Sequence, residues 1–176
     1  MTKKIKYYRG VIKKILNKFE GDEYSIQLEW ISSSAKEFSY RRRSHKYSEK
    51  CQYKLTEARM QLGNSLKYIS DEQNPYRKAS LNRMIGESDH IPDPVEEDVN
   101  FRMPGFNSKV KTIDYLRELL EQMKLEIFNL KIKCSEEATV YLDDAINKIS
   151  LAKNYLGRIL YCIKKVKEFD NAWKIA

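Results

Sequence analysis

Leu55-Thr56-Glu57-Ala58-Arg59-Met60-Gln61-Leu62-Gly63-Asn64-Ser65-Leu66 is the stretch on which the fold turns. Leu55, Ala58, Leu62 and Leu66 recur at steps of three and four, which places them on one face of an α-helix. Cys51 and Ile69 extend the row in both directions. A near match follows, offset by 94 residues (Gly63 against Gly157): Ile149-Ser150-Leu151-Ala152-Lys153-Asn154-Tyr155-Leu156-Gly157-Arg158-Ile159-Leu160. At the same offset Tyr47 meets Tyr141, Lys54 meets Lys148 and Ile69 meets Ile163. Any two amphipathic helices share leucines, but glycine inside a helix costs about 1 kcal/mol relative to alanine. Its use at matched positions implies close approach to the backbone, by another helix or by a ligand.

Helical periodicity extends outward from this pair. Val110, Ile113, Leu116, Leu120, Met123, Ile127 and Leu130 form one stripe, with Ser108 or Thr112 as its cap; Leu142, Ala145, Ile149, Ala152, Leu156, Leu160, Ile163 and Val166 form the next. Ser135-Glu136-Glu137 supplies a cap and first-turn carboxylates between them. So short a connection predicts antiparallel packing. Near the amino terminus Ile5, Tyr8, Val11, Ile12, Ile15, Leu16 and Phe19 give a lysine-backed helix that contains Gly10 and closes at Gly21. Tyr24 to Phe38 fits strand alternation in its first half and helix spacing over more of its length, so helix is preferred. Arg41-Arg42-Arg43-Ser44 interrupts the apolar pattern, and residues 71–107 carry Pro75, Pro92, Pro94 and an acidic run, the marks of an extended linker.

These readings predict an all-α chain: two antiparallel helical hairpins joined by a proline-containing linker, with an extra basic amino-terminal helix. The division expected is 1–72, 73–107 and 108–176. Two helices cannot enclose a core, so each hairpin must pack on its twin or on another chain. An internal pseudo-dimer, or a homo-oligomer whose subunits each supply two units, follows.

The formal charge is +8, from 33 Lys and Arg against 25 Asp and Glu, which favours polyanionic partners. No run of apolar residues is long enough to cross a membrane, and the basic start Met1 to Tyr8 lacks the apolar run of a secretory signal. Three cysteines, Cys51, Cys134 and Cys162, are too scattered for a disulfide framework or a zinc site; they suit a reducing compartment and small core positions. His45 and His90 have no metal-ligand spacing, and adjacent Asp143 and Asp144 diverge on a helix. No metal, cofactor or catalytic constellation is expected. Tyr40, Arg41, Arg42, Arg43, His45, Lys46 and Tyr47 instead combine planar cations with aromatic rings, groups that pair with phosphates and stack on bases. Tyr7, Tyr8 and Arg9 form a smaller set of that kind.

The segment Leu55 to Leu66, followed by Asn74-Pro75-Tyr76, resembles the helical-hairpin domain of phage anti-CBASS and anti-Thoeris proteins, with Leu142 to Ile163 a weaker second copy. Ile91-Pro92-Asp93-Pro94 stands where that family carries a further proline motif. Gln61 and Tyr155 replace the family's tryptophan, and Arg77 replaces a proline. The resemblance implies a helical oligomer, phage-encoded and acting in the host cytoplasm, that holds cyclic nucleotide immune signals without cleaving them. It also adds Arg59, inside the motif, and Arg158, just after its Leu-Gly pair, to the candidate ligand residues. The alternative expectation is a basic helical adaptor whose amino-terminal helix and Arg41 to Arg43 contact nucleic acid or a host protein.

Overall fold

The computed structural model of the chain describes residues 1–20, 35–69 and 109–175. Gly21, Tyr24 to Ser34, Ser108 and the proline-containing segment 73–107, with its family-like motifs and His90, lie outside the described residues. Among those described, four helices are present and no strand: α1 (Thr2–Glu20), α2 (Ala35–Ser65), α3 (Lys109–Lys131) and α4 (Glu136–Ile175). None is long and apolar enough to cross a membrane.

The helices form a ring in the order α1, α2, α4, α3. α2 and α4 run antiparallel, as Cys51 against Ala152, Glu57 against Lys148 and Gln61 against Asp144 establish. α3 runs antiparallel to α4 through Arg117–Gly157, Glu121–Lys153 and Lys131–Asp143. α1 lies on α2 through Arg9, and reaches α3 where the Tyr8 hydroxyl donates to Glu126 at 2.6 Å. Ser135 Oγ donates to the Tyr68 carbonyl, so the start of α4 sits beside the end of α2. The start of α3 is therefore at the opposite end of the bundle, a helix of 23 residues away, or about 35 Å.

Small residues let the two long helices approach. Cys51, Ala58, Ala145 and Ala152 are fully buried, and the Cys51 thiol reaches the Ala152 carbonyl at 3.5 Å. Leucines and isoleucines at Leu55, Leu62, Ile149 and Leu156 fill the layers between them. Ser135 caps α4 by accepting from the Ala138 amide at 3.4 Å, and Glu136 and Glu137 occupy its first turn, where carboxylates complement the helix dipole.

Two expectations are corrected. Arg41 to Ser44 interrupt the apolar pattern but not the helix: α2 passes through them unbroken, and Arg41, Ser44 and Ser48 are buried in register with Cys51 and Leu55. The face is continuous, but its first turns are polar, which hid it from a reading based on hydrophobicity. The amino-terminal helix is not an addition to a separate pair either. It covers α2 as α3 covers α4.

That correspondence is geometric. Arg9 lies over Gly63 and Arg117 over Gly157, each guanidinium within 3.3–3.5 Å of where a Cβ would stand. Gly63 and Gly157 are 94 apart (157 − 63), whereas Arg9 and Arg117 are 108 apart (117 − 9). The connection between the paired helices is thus 14 residues longer in the first half (108 − 94). At the longer offset Ile5, Tyr8, Ile12, Ile15 and Phe19 meet Ile113, Leu116, Leu120, Met123 and Ile127, all buried. Across the α2–α4 contact, Gln61 faces Asp144 while the equivalent Tyr155 faces Lys50. A pseudo-two-fold axis relates the halves. What stands nearest each matched glycine is an arginine side chain from the helix packed alongside.

Candidate functional site

Arg43 and Tyr47 are one turn apart on α2, so they share a face. Opposite them the antiparallel α4 presents Asn154, Gly157, Arg158, Tyr161 and Cys162, and α3 adds Arg117. Together these residues line an open cleft of about 540 Å³, within the range of small-molecule sites. Its lining contains three arginines and no carboxylate.

The rings hold the guanidiniums in place. Arg158 Cζ lies 5.5 Å from the ring centroids of both Tyr47 and Tyr155, and those two rings stack on each other at 6.2 Å with 24° between planes. Arg43 Cζ lies 5.4 Å from the Tyr40 ring, which meets Tyr161 edge-on at 6.1 Å. A guanidinium against an aromatic face keeps its N–H edge free for an anion while its plane is fixed. Arg117 lies flat over the α4 backbone because Gly157 has no side chain to displace it; its Nε is buried without a hydrogen-bond partner. None of Arg43, Arg117 and Arg158 pairs with a carboxylate among the described residues.

The remaining sequence candidates lie elsewhere. Successive residues of a helix turn by about 100°, so the Tyr40 to Tyr47 cluster is distributed around α2. Arg41 faces the core, Arg42 and Lys46 face outward, and His45 sits 3.1 Å from Glu49. Arg59 is on the α1 side, where its carbonyl accepts from Arg9 Nε at 3.3 Å. The cleft thus collects Arg43, Tyr47 and Arg158 of the predicted set, with Tyr40 behind Arg43. Arg117 and Tyr161 were missed. Arg117 had a usable signal, since Tyr7-x-Arg9 recurs as Tyr115-x-Arg117.

Arg117 also borders a second hollow of about 550 Å³, lined by Asp114, Glu118, Glu121, Gln122, Leu125 and Lys153. Its carboxylates make it unlike the first. Elsewhere, Asp143 is held by Lys131 at 2.8 Å and Asp144 accepts from Gln61 at 2.7 Å, so the adjacent aspartates serve separate contacts. Among the described residues no group of three or more His, Cys, Asp or Glu side chains is placed to hold a metal ion.

No protein-family model matches the chain, and no curated protein and no solved structure matches it.

Proposed function

We propose that the chain is a binding protein that sequesters a phosphate-bearing, base-containing ligand of the cyclic oligonucleotide class in the Arg43–Arg117–Arg158 cleft, without cleaving it. The observation that carries this reading is the convergence of three arginines with no carboxylate partner, two of them seated on tyrosine rings. Like charges so placed repel one another, and a phosphodiester relieves the repulsion while accepting paired N–H bonds. Tyr47 and Tyr161 add aromatic faces on which a base can stack. The motif resemblance points the same way, to a phage-encoded sponge built from two hairpins in one chain, acting in the host cytoplasm and assembling with further copies. The matched Arg–Gly contacts of the two halves support reading it as a duplicated unit.

Equilibrium dialysis against cyclic dinucleotides, cyclic trinucleotides and their linear forms tests this. The expected result is retention of a cyclic species that heat denaturation releases intact, with retention lost in Arg158→Ala. Release of a cleaved product, or retention of nothing in the panel, refutes it.

One observation favours a second reading. Residues 1–20 contain six Lys and Arg9 against Glu20 alone, so they carry +6 of the net +8, and Lys3, Lys4, Lys13, Lys14 and Lys18 are exposed on α1. Such a helix suits the phosphate backbone of a nucleic acid. Binding to a DNA or RNA duplex that weakens steeply with salt, with no retention of cyclic nucleotides, would establish it instead.

A further inference from the structure

The pseudo-two-fold axis supplies an internal control for the cleft. Every residue that lines it has an equivalent on the opposite face. Three features are common to both faces: Arg117 and Gly157 correspond to Arg9 and Gly63, and Tyr47 corresponds to Tyr141. These belong to the shared packing scheme, because an arginine covers the matched glycine on both faces. The other five differ: Asn154 corresponds to Met60 and Cys162 to Tyr68, and three more change the polar and aromatic character of the face. Arg43 corresponds to Glu137, Arg158 to Asn64 and Tyr161 to Lys67.

The differences change the chemistry of the face. On the cleft side the guanidinium edges of Arg43 and Arg158 have no hydrogen-bond acceptor among the described residues. On the other side Asn64, the equivalent of Arg158, is already engaged: its Nδ2 donates to Gln61 Oε1 at 2.9 Å, and Gln61 Nε2 donates to Asp144 Oδ2 at 2.7 Å. Tyr141 there stacks on Tyr68, with ring centroids 5.5 Å apart, in the place where Tyr47 has Cys162. The first face offers three cations to a ligand. The second, with Arg9, Lys67 and Glu137, offers a net charge of one.

Resting on the reading of the cleft as an anion site, we infer that the described residues form one such ligand site, on this face and not on its equivalent, and that Arg43, Arg158 and Tyr161 are the residues that create it from a scaffold both halves share. Three guanidiniums suit a ligand with two or three phosphate charges better than one with a single charge. A cyclic dinucleotide has two and a cyclic trinucleotide three; a nucleoside triphosphate has at least three, and a nucleoside cyclic monophosphate only one.

Isothermal titration of the full chain with one cyclic dinucleotide, one cyclic trinucleotide, a nucleoside triphosphate and a cyclic mononucleotide tests the inference. A native stoichiometry of no more than one per chain is expected, with the cyclic mononucleotide binding weakest. Exchanging the cleft residues for those of the other face, Arg43→Glu with Arg158→Asn, should weaken binding by about 100-fold or more, since each charge-assisted contact is worth about tenfold or more. Arg43→Lys with Arg158→Lys keeps the charge and loses the planar fork, so it should give an intermediate loss and guards against misfolding of the first variant. The reciprocal graft, Glu137→Arg with Asn64→Arg and Lys67→Tyr, should raise the stoichiometry by one site per chain. Two native sites per chain, or a folded graft with no added site, each overturn the inference while leaving the proposed function standing; undiminished binding in the exchanged variant overturns both, because the cleft is then not where the ligand is held. Absence of any binding by the native chain overturns both.

Discussion

Gly157→Ala should stabilise the protein, and its equivalent Gly63→Ala should not. Glycine in a helix interior costs about 1 kcal/mol relative to alanine, and Gly157 is deep inside the 40-residue α4. A methyl group there would stand 3.4 Å from Arg117 Cζ and Nη2 and 3.5 Å from Nε, close to ordinary contact. Arg117 Nε has no hydrogen-bond partner to lose, so the guanidinium can shift slightly at small cost. The net gain should be close to the full propensity difference of about 1 kcal/mol, or roughly 2–4 °C in Tm for a chain of this size. Gly63 differs in two ways. It lies in the last turn of α2, where the helical constraint is weaker, and its methyl would meet Arg9 Cζ at 3.3 Å. Arg9 Nε donates to the Arg59 carbonyl at 3.3 Å, and displacing it puts at risk a bond worth about 0.5–1.5 kcal/mol. Gain and loss nearly cancel there. Urea unfolding followed by far-ultraviolet circular dichroism, with slopes compared to confirm two-state behaviour, measures both. A destabilised Gly157→Ala, or a Gly63→Ala that gains as much, would show that the arginine contacts do not control the two sites as described.

Leu62→Ala and Leu156→Ala remove fully buried side chains from equivalent positions and should each cost about 2–5 kcal/mol; unequal losses in the same unfolding assay would contradict the pseudo-symmetry. Ser44→Ala should stabilise by about 1 kcal/mol or more, because it deletes a buried hydroxyl that has no partner and installs the residue found at the equivalent Ala138; a loss of stability on denaturant titration would show that the hydroxyl is satisfied. Burial pushes the Glu57 carboxyl upward, but Lys148 and Lys54 outweigh it and hold it below its ordinary value of 4.5. The folded-state value is the lower one, so its contribution is complete above the unfolded-state value and fades as pH falls through the folded-state value. The stability gap between the native chain and Glu57→Gln should therefore be constant near neutrality and close below about pH 4.5; a gap that persists or widens in acid would refute this.

The parts of the fold visible in the sequence are those whose buried faces are apolar. α3, the apolar second half of α2 and most of α4 announce themselves through leucine and isoleucine spacing, and the Ser135 cap with Glu136 and Glu137 marks where α4 begins. The amino-terminal half of α2 does not, because Arg41, Ser44 and Ser48 occupy its inward positions and carry no hydrophobic signal. The cleft was legible on one helix at a time. Arg43 and Tyr47 are one turn apart and could be paired from the sequence, whereas Arg117 and Tyr161 join them only through the antiparallel packing of α3 and α4, whose register no local pattern encodes. The shared Leu-Gly pair was visible as a repeat, but the arginine that uses each glycine lies on a different helix at a different offset, so its role required coordinates.

The bundle's chief seam, between α2 and α4, is an interface in all but covalent continuity. Made as separate polypeptides, residues 1–69 and 109–176 each contain a helix pair with its own complementary surface. Mixed in solution, the two should reassemble into the same four-helix ring, with a stability that depends on their concentration. The same surfaces allow two molecules to trade halves, giving a swapped dimer that keeps every seam contact but builds each cleft from α2 of one molecule and α3 and α4 of another.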